Sequence, residues 1–118
     1  MRDDLKDFLP LSPATFYILL ALSDEDRHGY GIMQEVARQS KGKYKLGPGT
    51  FYDNLEKLMD RGVVKEVPRK SANDDPRRHY YRMTGFGRDL FLAEVSRLDA
   101  AVREAKLRLR GRKAKEAL

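Results

Sequence analysis

The spacing of apolar positions changes along the chain and marks out its elements. Leu5, Phe8 and Leu9 keep helical spacing up to Pro10, which predicts a short arm or partial helix over residues 1 to 11 that docks on the rest of the molecule. Ser12-Pro13 has the order of an N-cap followed by a proline in the first helical position. Phe16, Ile18, Leu19, Leu20 and Leu22 then form an almost continuously apolar helix, as expected of a central one, ending at Ser23. After the polar connection Asp24-Glu25-Asp26-Arg27, a second helix is predicted from Tyr30, Met33 and Ala37, flanked by Ile32 and Val36, and it stops at Ser40.

The basic, glycine-rich stretch from Lys41 to Gly49 is a connector, and Pro48 can open a third helix. Its stripe is Phe51, Leu55, Leu58 and Met59, and Gly62 is its stop. The period then shortens: Val63 to Val67 and Arg78 to Met83 are β-prone, separated by the turn formers Ser71 to Pro76, which predicts a hairpin with a polar tip. Thr84 is a candidate N-cap for a last helix. In it Phe91, Val95, Leu98, Val102, Ala105 and Leu109 recur at steps of four and three, and the basic run Arg110 to Lys115 is expected to fray.

Three helices followed by a two-stranded hairpin is the order of a winged helix-turn-helix, a mainly α fold with a small β-hairpin. Its third helix enters the major groove and its hairpin lies on the flanking backbone. We divide the chain into a winged domain with an N-terminal arm, residues 1 to 84, and a C-terminal dimerisation helix with a basic tail, residues 85 to 118. At about 100° per residue, Thr50, Asp53 and Lys57 lie opposite the apolar stripe of the third helix, flanked by Asn54 and Arg61. Asn, Lys and Arg suit base edges and phosphate, whereas Asp53, Glu56 and Asp60 would repel phosphate.

Residues 65 to 82 carry six basic side chains (Lys65, Arg69, Lys70, Arg77, Arg78, Arg82) against three acidic ones (Glu66, Asp74, Asp75). Strand alternation would put Arg78, Tyr80 and Arg82 on one face, with Arg77, His79 and Tyr81 on the other. Lys43 and Lys45 could add backbone contacts ahead of the third helix or simply keep a loop solvated. The seam of the last helix reaches Leu109, about 27 Å beyond Phe91, which outruns so small a core and calls for a partner helix. With Leu5, Phe8 and Leu9 of the arm, Phe91, Val95, Leu98, Val102, Ala105 and Leu109 are the candidate dimerisation residues.

Composition narrows the functional classes. The 118 residues suit one domain with an appended element, 36% of them are charged, and the net charge of +6, with a pI near 9.7, favours a polyanionic partner. No cysteine is present, so there is no disulfide framework, thiolate nucleophile or thiolate-bound zinc. The longest apolar run, Phe16 to Leu22, is far short of the ~20 residues of a membrane helix, and the acidic start does not resemble a signal peptide; a cytoplasmic protein is expected. His28 and His79 are the only histidines and lack the spacing that puts two ligands on one helix face, so neither a metal nor a cofactor is expected. Gly47-Pro48-Gly49 lacks the Lys-Ser/Thr ending of a phosphate loop, and no enzyme constellation emerges. Duplex DNA is the favoured partner, with RNA binding through the same basic surface, or a dimeric protein-interaction adaptor that has lost DNA binding, as alternatives.

Four ordered blocks resemble the PadR family of transcriptional regulators, in particular its short members with a single C-terminal helix. They are Leu11-Ser12-Pro13; His28-Gly29-Tyr30; Gly49-Thr50-x-Tyr52-x-x-Leu55-x-x-Leu58 with Gly62; and Arg78-x-Tyr80-Tyr81-x-Met83-Thr84-x-x-Gly87-Arg88. The resemblance implies a homodimeric repressor on operator DNA, with the third helix and the wing on DNA, the tyrosine at the Tyr52 position on the backbone, and the dimer built from the N-terminal and last helices. Phe51 and Met83 stand where leucine is usual. With no tryptophan in the chain, the sandwiching of flat drugs between paired tryptophans seen in some short members is not expected. A cleft in the dimer lined by Phe8, Leu9, Phe91, Val95 and Leu98 would suit a small aromatic or lipophilic effector, unless the interface is fully packed.

Overall fold

Ser12 caps the helix that organises the core. Its hydroxyl accepts the Thr15 N–H (3.2 Å) and Pro13 occupies the first helical position of α2 (Pro13–Ala21), whose Ile18 and Leu19 are wholly buried. The computed structural model describes residues 3–69 and 71–117; Met1, Arg2, Leu118 and the wing residue Lys70 lie outside them. Ahead of α2 the arm contains one helical turn, α1 (Asp3–Lys6), and Leu5 is buried in the core of its own chain.

Helix α3 (Gly29–Gln39) is capped by His28, whose Nδ1 accepts the Gly31 N–H at 3.0 Å. The expected stripe is corrected by one step around the helix. Ile32 and Val36 face the core, while Tyr30 is 63% exposed and Met33 and Ala37 are half-buried. Helix α4 (Pro48–Asp60) buries Phe51, Leu55 and Leu58 as the sequence predicts. It ends on Gly62 (φ 76°), where the Val63 N–H reaches back to the Leu58 carbonyl (2.8 Å) and the Gly62 N–H to that of Met59 (3.1 Å), a paired closure that needs the left-handed backbone.

The hairpin is part of a three-stranded antiparallel sheet in the order β1 (Arg27–His28), β3 (Tyr80–Met83), β2 (Val64–Val67). Only β2 and β3 were expected; β1 is a polar dipeptide that pairs Arg27 with Tyr81 and His28 with Tyr80. Within β3 the alternation holds. Tyr81 and Met83 enter the core, while Tyr80 and Arg82 take the other face, Tyr80 being covered edge-on by His28 at 5.4 Å. Residues 77–79 precede the strand; His79 still reaches Glu66, the ladder partner of Tyr81, on the Tyr81 side. Lys65 stands opposite Arg82 across the ladder, and Asp26 offsets that like-charge pair with a two-bond grip on Arg82 (2.7 and 2.9 Å).

Helix α5 (Gly85–Ala117) starts as expected at Thr84, whose hydroxyl accepts the Gly87 N–H (3.0 Å) and donates to the Gly62 carbonyl (2.5 Å). The basic run Arg110 to Lys115, expected to fray, lies within α5, which is helical to Ala117; ahead of it, Asp99–Arg103 and Glu104–Arg108 pair in the favourable acid-before-base order at 2.9 and 3.1 Å. A side chain at Gly87 would overlap the Val63 carbonyl oxygen and lie 3.1 Å from its carbon. Gly87→Ala should therefore push α5 off the hairpin and cost about 2–3 kcal/mol. The urea midpoint measures this, and an unchanged midpoint would mean that α5 is not seated on Val63.

Candidate nucleic-acid interface

The first turn of α4 is exposed. Gly47 provides no side-chain cap and Pro48 no N–H, so the backbone N–H groups at this end are left to solvent or to an anion. Thr50, Tyr52, Asp53 and Lys57 are all exposed on this helix, with Tyr52 half out of the protein. Tyr52 lies over the start of α3, where a Cβ on Gly29 would come within 2.5 Å of its hydroxyl, so that glycine makes room for the ring. Lys43 and Lys45 are exposed on the connector. The connector is held by Ser40, whose Oγ accepts the Tyr44 N–H and donates to the Tyr44 carbonyl, both at 3.0 Å, and by stacking of Tyr44 on Tyr17 at 5.4 Å.

Two predicted members of this face are turned elsewhere. The Asn54 side chain donates to the Thr50 carbonyl at 2.8 Å, a bond within its own helix. Arg61 stands at the opposite end of α4 with its guanidinium carbon 4.0 Å from the centre of the Phe8 ring, so it clamps the arm.

The wing meets this face. Arg77 and Arg78 share a cleft of about 190 Å³ with His28, Gly29, Tyr30 and Tyr52. In the tip, Asp75 holds Arg77 through two bonds (3.0 and 3.2 Å) and Asp74 holds Arg78 (3.3 Å). The Tyr80 hydroxyl, followed by the Asp75 N–H and Arg78, keeps the Asp74 carboxyl below its usual range; Arg77 does the same for Asp75. His79 is paired with Glu66 across the hairpin. Tyr30 was missed as a surface residue because its spacing placed it on the helix stripe. The available signal was its place beside Gly29 in the first turn, where α3 has only begun to pack.

On α5 the expected seam divides. Phe91 is buried against Phe16 at 5.5 Å, and Phe8 packs edge-on against Phe86 at 5.4 Å, with Leu9 half-buried beside the core. That removes Leu5 and Phe91 from the residues a partner helix or an effector could reach in this conformation. Val95, Leu98, Val102, Ala105 and Leu109 remain exposed. Glu94, which sequence reasoning also missed, is 2% exposed and accepts the Leu11 N–H (2.7 Å) and Arg97 Nε (2.5 Å), tying α5 to the start of α2. Charge is unevenly spread as well. Residues 103–118 hold seven Lys and Arg against two Glu, so five of the six net positive charges lie on the end of α5 and the first 102 residues are nearly neutral.

Among the described residues no group of three or more acidic or histidine side chains could hold a metal ion, and no helix is long and apolar enough to cross a membrane. The exposed α4, the sheet beside it and the single long helix that follows define a winged helix-turn-helix protein. The model of the transcriptional regulator PadR-like family matches residues 18–93, and the chain belongs to that family. The Mycobacterium tuberculosis transcriptional regulator Rv3488 is 31% identical over 88 residues, 75% of this chain and 78% of the relative. A PadR family regulator from Clostridium difficile shares the fold at TM-score 0.66 and 21% identity, covering 83% of this chain and 99% of that one. Bacillus subtilis PadR, solved in complex with operator DNA, does so at TM-score 0.62 and 19% identity, covering 73% and 48%.

Arg97, and then the Leu11 N–H, hold Glu94 below the usual carboxylate range against the opposing effect of burial, and Arg38 holds Glu35 at about 2. A depressed folded value contributes stability that is present above the unfolded carboxylate range and is lost as pH falls through the folded value. Acidification from about pH 5 to about pH 3 should therefore erode stability, and less steeply in Glu94→Gln. Urea midpoints across that range test this; parallel curves would remove Glu94 from the acid limb.

Proposed function

We propose that the chain is a repressor that binds a palindromic operator as a homodimer in the cytoplasm, with α4 in the major groove and the wing on the backbone. The observation that carries this reading is the shared surface of Tyr52, Arg77 and Arg78 beside the exposed face of α4. Tyr52, the α4 N-terminus and the wing arginines suit phosphate, whereas Lys57 and Thr50 are the side chains best set to meet base edges. The operator complex of the Bacillus subtilis relative supports the reading. The exposed strip Val95, Leu98, Val102, Ala105 and Leu109 is the proposed dimer seam, and two-fold symmetry would set half-sites about one helical turn, roughly 34–36 Å, or a multiple apart.

Asp53, Glu56 and Asp60, all exposed on α4, favour a second reading as a protein-interaction adaptor. Gel shifts with duplex DNA, duplex RNA and neither distinguish the readings, and sequencing the genomic fragments retained by the protein supplies the operator. Arg77→Ala should weaken all duplexes alike and lower the salt slope by about one unit. Lys57→Ala should narrow the gap between operator and random DNA by about 1–3 kcal/mol; equal losses on both DNAs would make Lys57 a backbone contact. Leu98→Asp with Val102→Asp should sediment as a monomer or unfold, and an unchanged dimer mass would rule the seam out.

A further inference from the structure

We infer that Asp74 and Asp75 occupy, in the free protein, the arginine sites that DNA phosphate takes in the complex, and that they thereby weaken binding to random duplex. The inference rests on the DNA-binding reading above and adds to it a pair of residues that set specificity. Asp75 presents its two oxygens to Arg77 as a phosphate would, with Oδ1 near Nε (3.2 Å) and Oδ2 near Nη2 (3.0 Å).

Each carboxylate is also anchored by donors that are not guanidinium groups. Asp75 Oδ1 accepts the Arg77 backbone N–H (2.9 Å), and Asp74 Oδ1 accepts the Asp75 N–H (2.9 Å) while Asp74 also bonds the Tyr80 hydroxyl. The tip therefore keeps its shape, and both carboxylates stay hydrogen-bonded, when the arginines swing away. The arginines are free to swing: the Arg77 side chain is 89% exposed, and Arg78 is held by a single 3.3 Å bond to Asp74. Arg82 is the contrast. Asp26, from a different part of the chain, grips it with two bonds at the root of the sheet, so it is a structural pair.

Because a phosphate must displace a carboxylate, the wing gains only the difference between two ion pairs on any DNA it meets. That difference is small unless α4 is seated and brings the backbone into register with the cleft beside Tyr30 and Tyr52. The near-neutral charge of the first 102 residues fits this, since little net attraction then pulls the winged domain onto arbitrary duplex.

The test is fluorescence anisotropy of the full-length protein with a random-sequence duplex at fixed salt. Asp75→Asn keeps the oxygen that shapes the turn and removes the charge; it should bind the random duplex about two- to fivefold more tightly than wild type. Asp75→Ser, which retains an acceptor for the same backbone N–H, serves if the asparagine variant does not fold. In an Arg77→Ala background the gain should vanish, because the carboxylate acts through that guanidinium. Asp74→Asn should behave likewise with Arg78→Ala. A gain of the same size without Arg77 would reduce Asp75 to a bulk-charge effect, and no gain in either background would overturn the inference while leaving DNA binding intact. Failure of the wild-type protein to bind any duplex would overturn the DNA-binding reading itself and this inference with it.

Discussion

The carbonyl of Val63 is where the two halves of this molecule are joined. It accepts the Thr84 N–H at 3.0 Å, lies 3.2 Å from the Thr84 hydroxyl, and has Gly87 passing directly over it. The end of α4, the start of β2 and the first turn of α5 are thus held within one turn of backbone. Because a helix rises about 1.5 Å per residue, a small tilt at this first turn is amplified along a helix about 50 Å long. The direction in which the exposed Leu98, Val102 and Leu109 face is therefore decided some distance from those residues. Glu94 is the second fixing point: its buried carboxylate holds Leu11 and stops α5 rotating about the first.

Carboxylates do three different things in this basic chain. Glu94 is buried, so loss of Arg97 would leave its carboxylate without a counter-charge, the costly case for a buried charge. Asp26 offsets the like-charge pair of Lys65 and Arg82 across the ladder and so lets two cations sit on adjacent strands. Asp74 and Asp75 lie in the wing tip, each paired with an arginine of the same turn that it can release to another anion. Chemically similar pairs are thus structural or exchangeable according to whether the acid ties the arginine to a distant segment or sits beside it in the same turn.

Several elements of the candidate site were readable from the residues alone. The exposed Thr50, Asp53 and Lys57 follow from the position of Phe51, Leu55 and Leu58, because a helix with one buried stripe must turn its opposite side outward. The closeness of Tyr52 to Arg77 and Arg78 was not readable, since it depends on how the wing folds back over the start of α3. Nor was the diversion of Arg61 to the Phe8 ring, a partner that only assembly brings within reach; the Asn54 bond to the Thr50 carbonyl, by contrast, is local to one turn of α4.

Element order, the Ser12 and Thr84 caps, the Pro13 and Pro48 helix starts and the Gly62 stop all lay within the amino-acid sequence. They depend on dihedral preferences and on hydrogen bonds spanning no more than five residues. The strand Arg27–His28 did not. Its two polar residues have no periodicity, and they become a strand only because β3 presents an unpaired edge to them. The same holds for the side of α3 that is buried, for the enclosure of Phe91 by Phe16, and for the burial of Glu94. In each case several arrangements satisfy the local pattern equally well, and the packing of distant surfaces selects one.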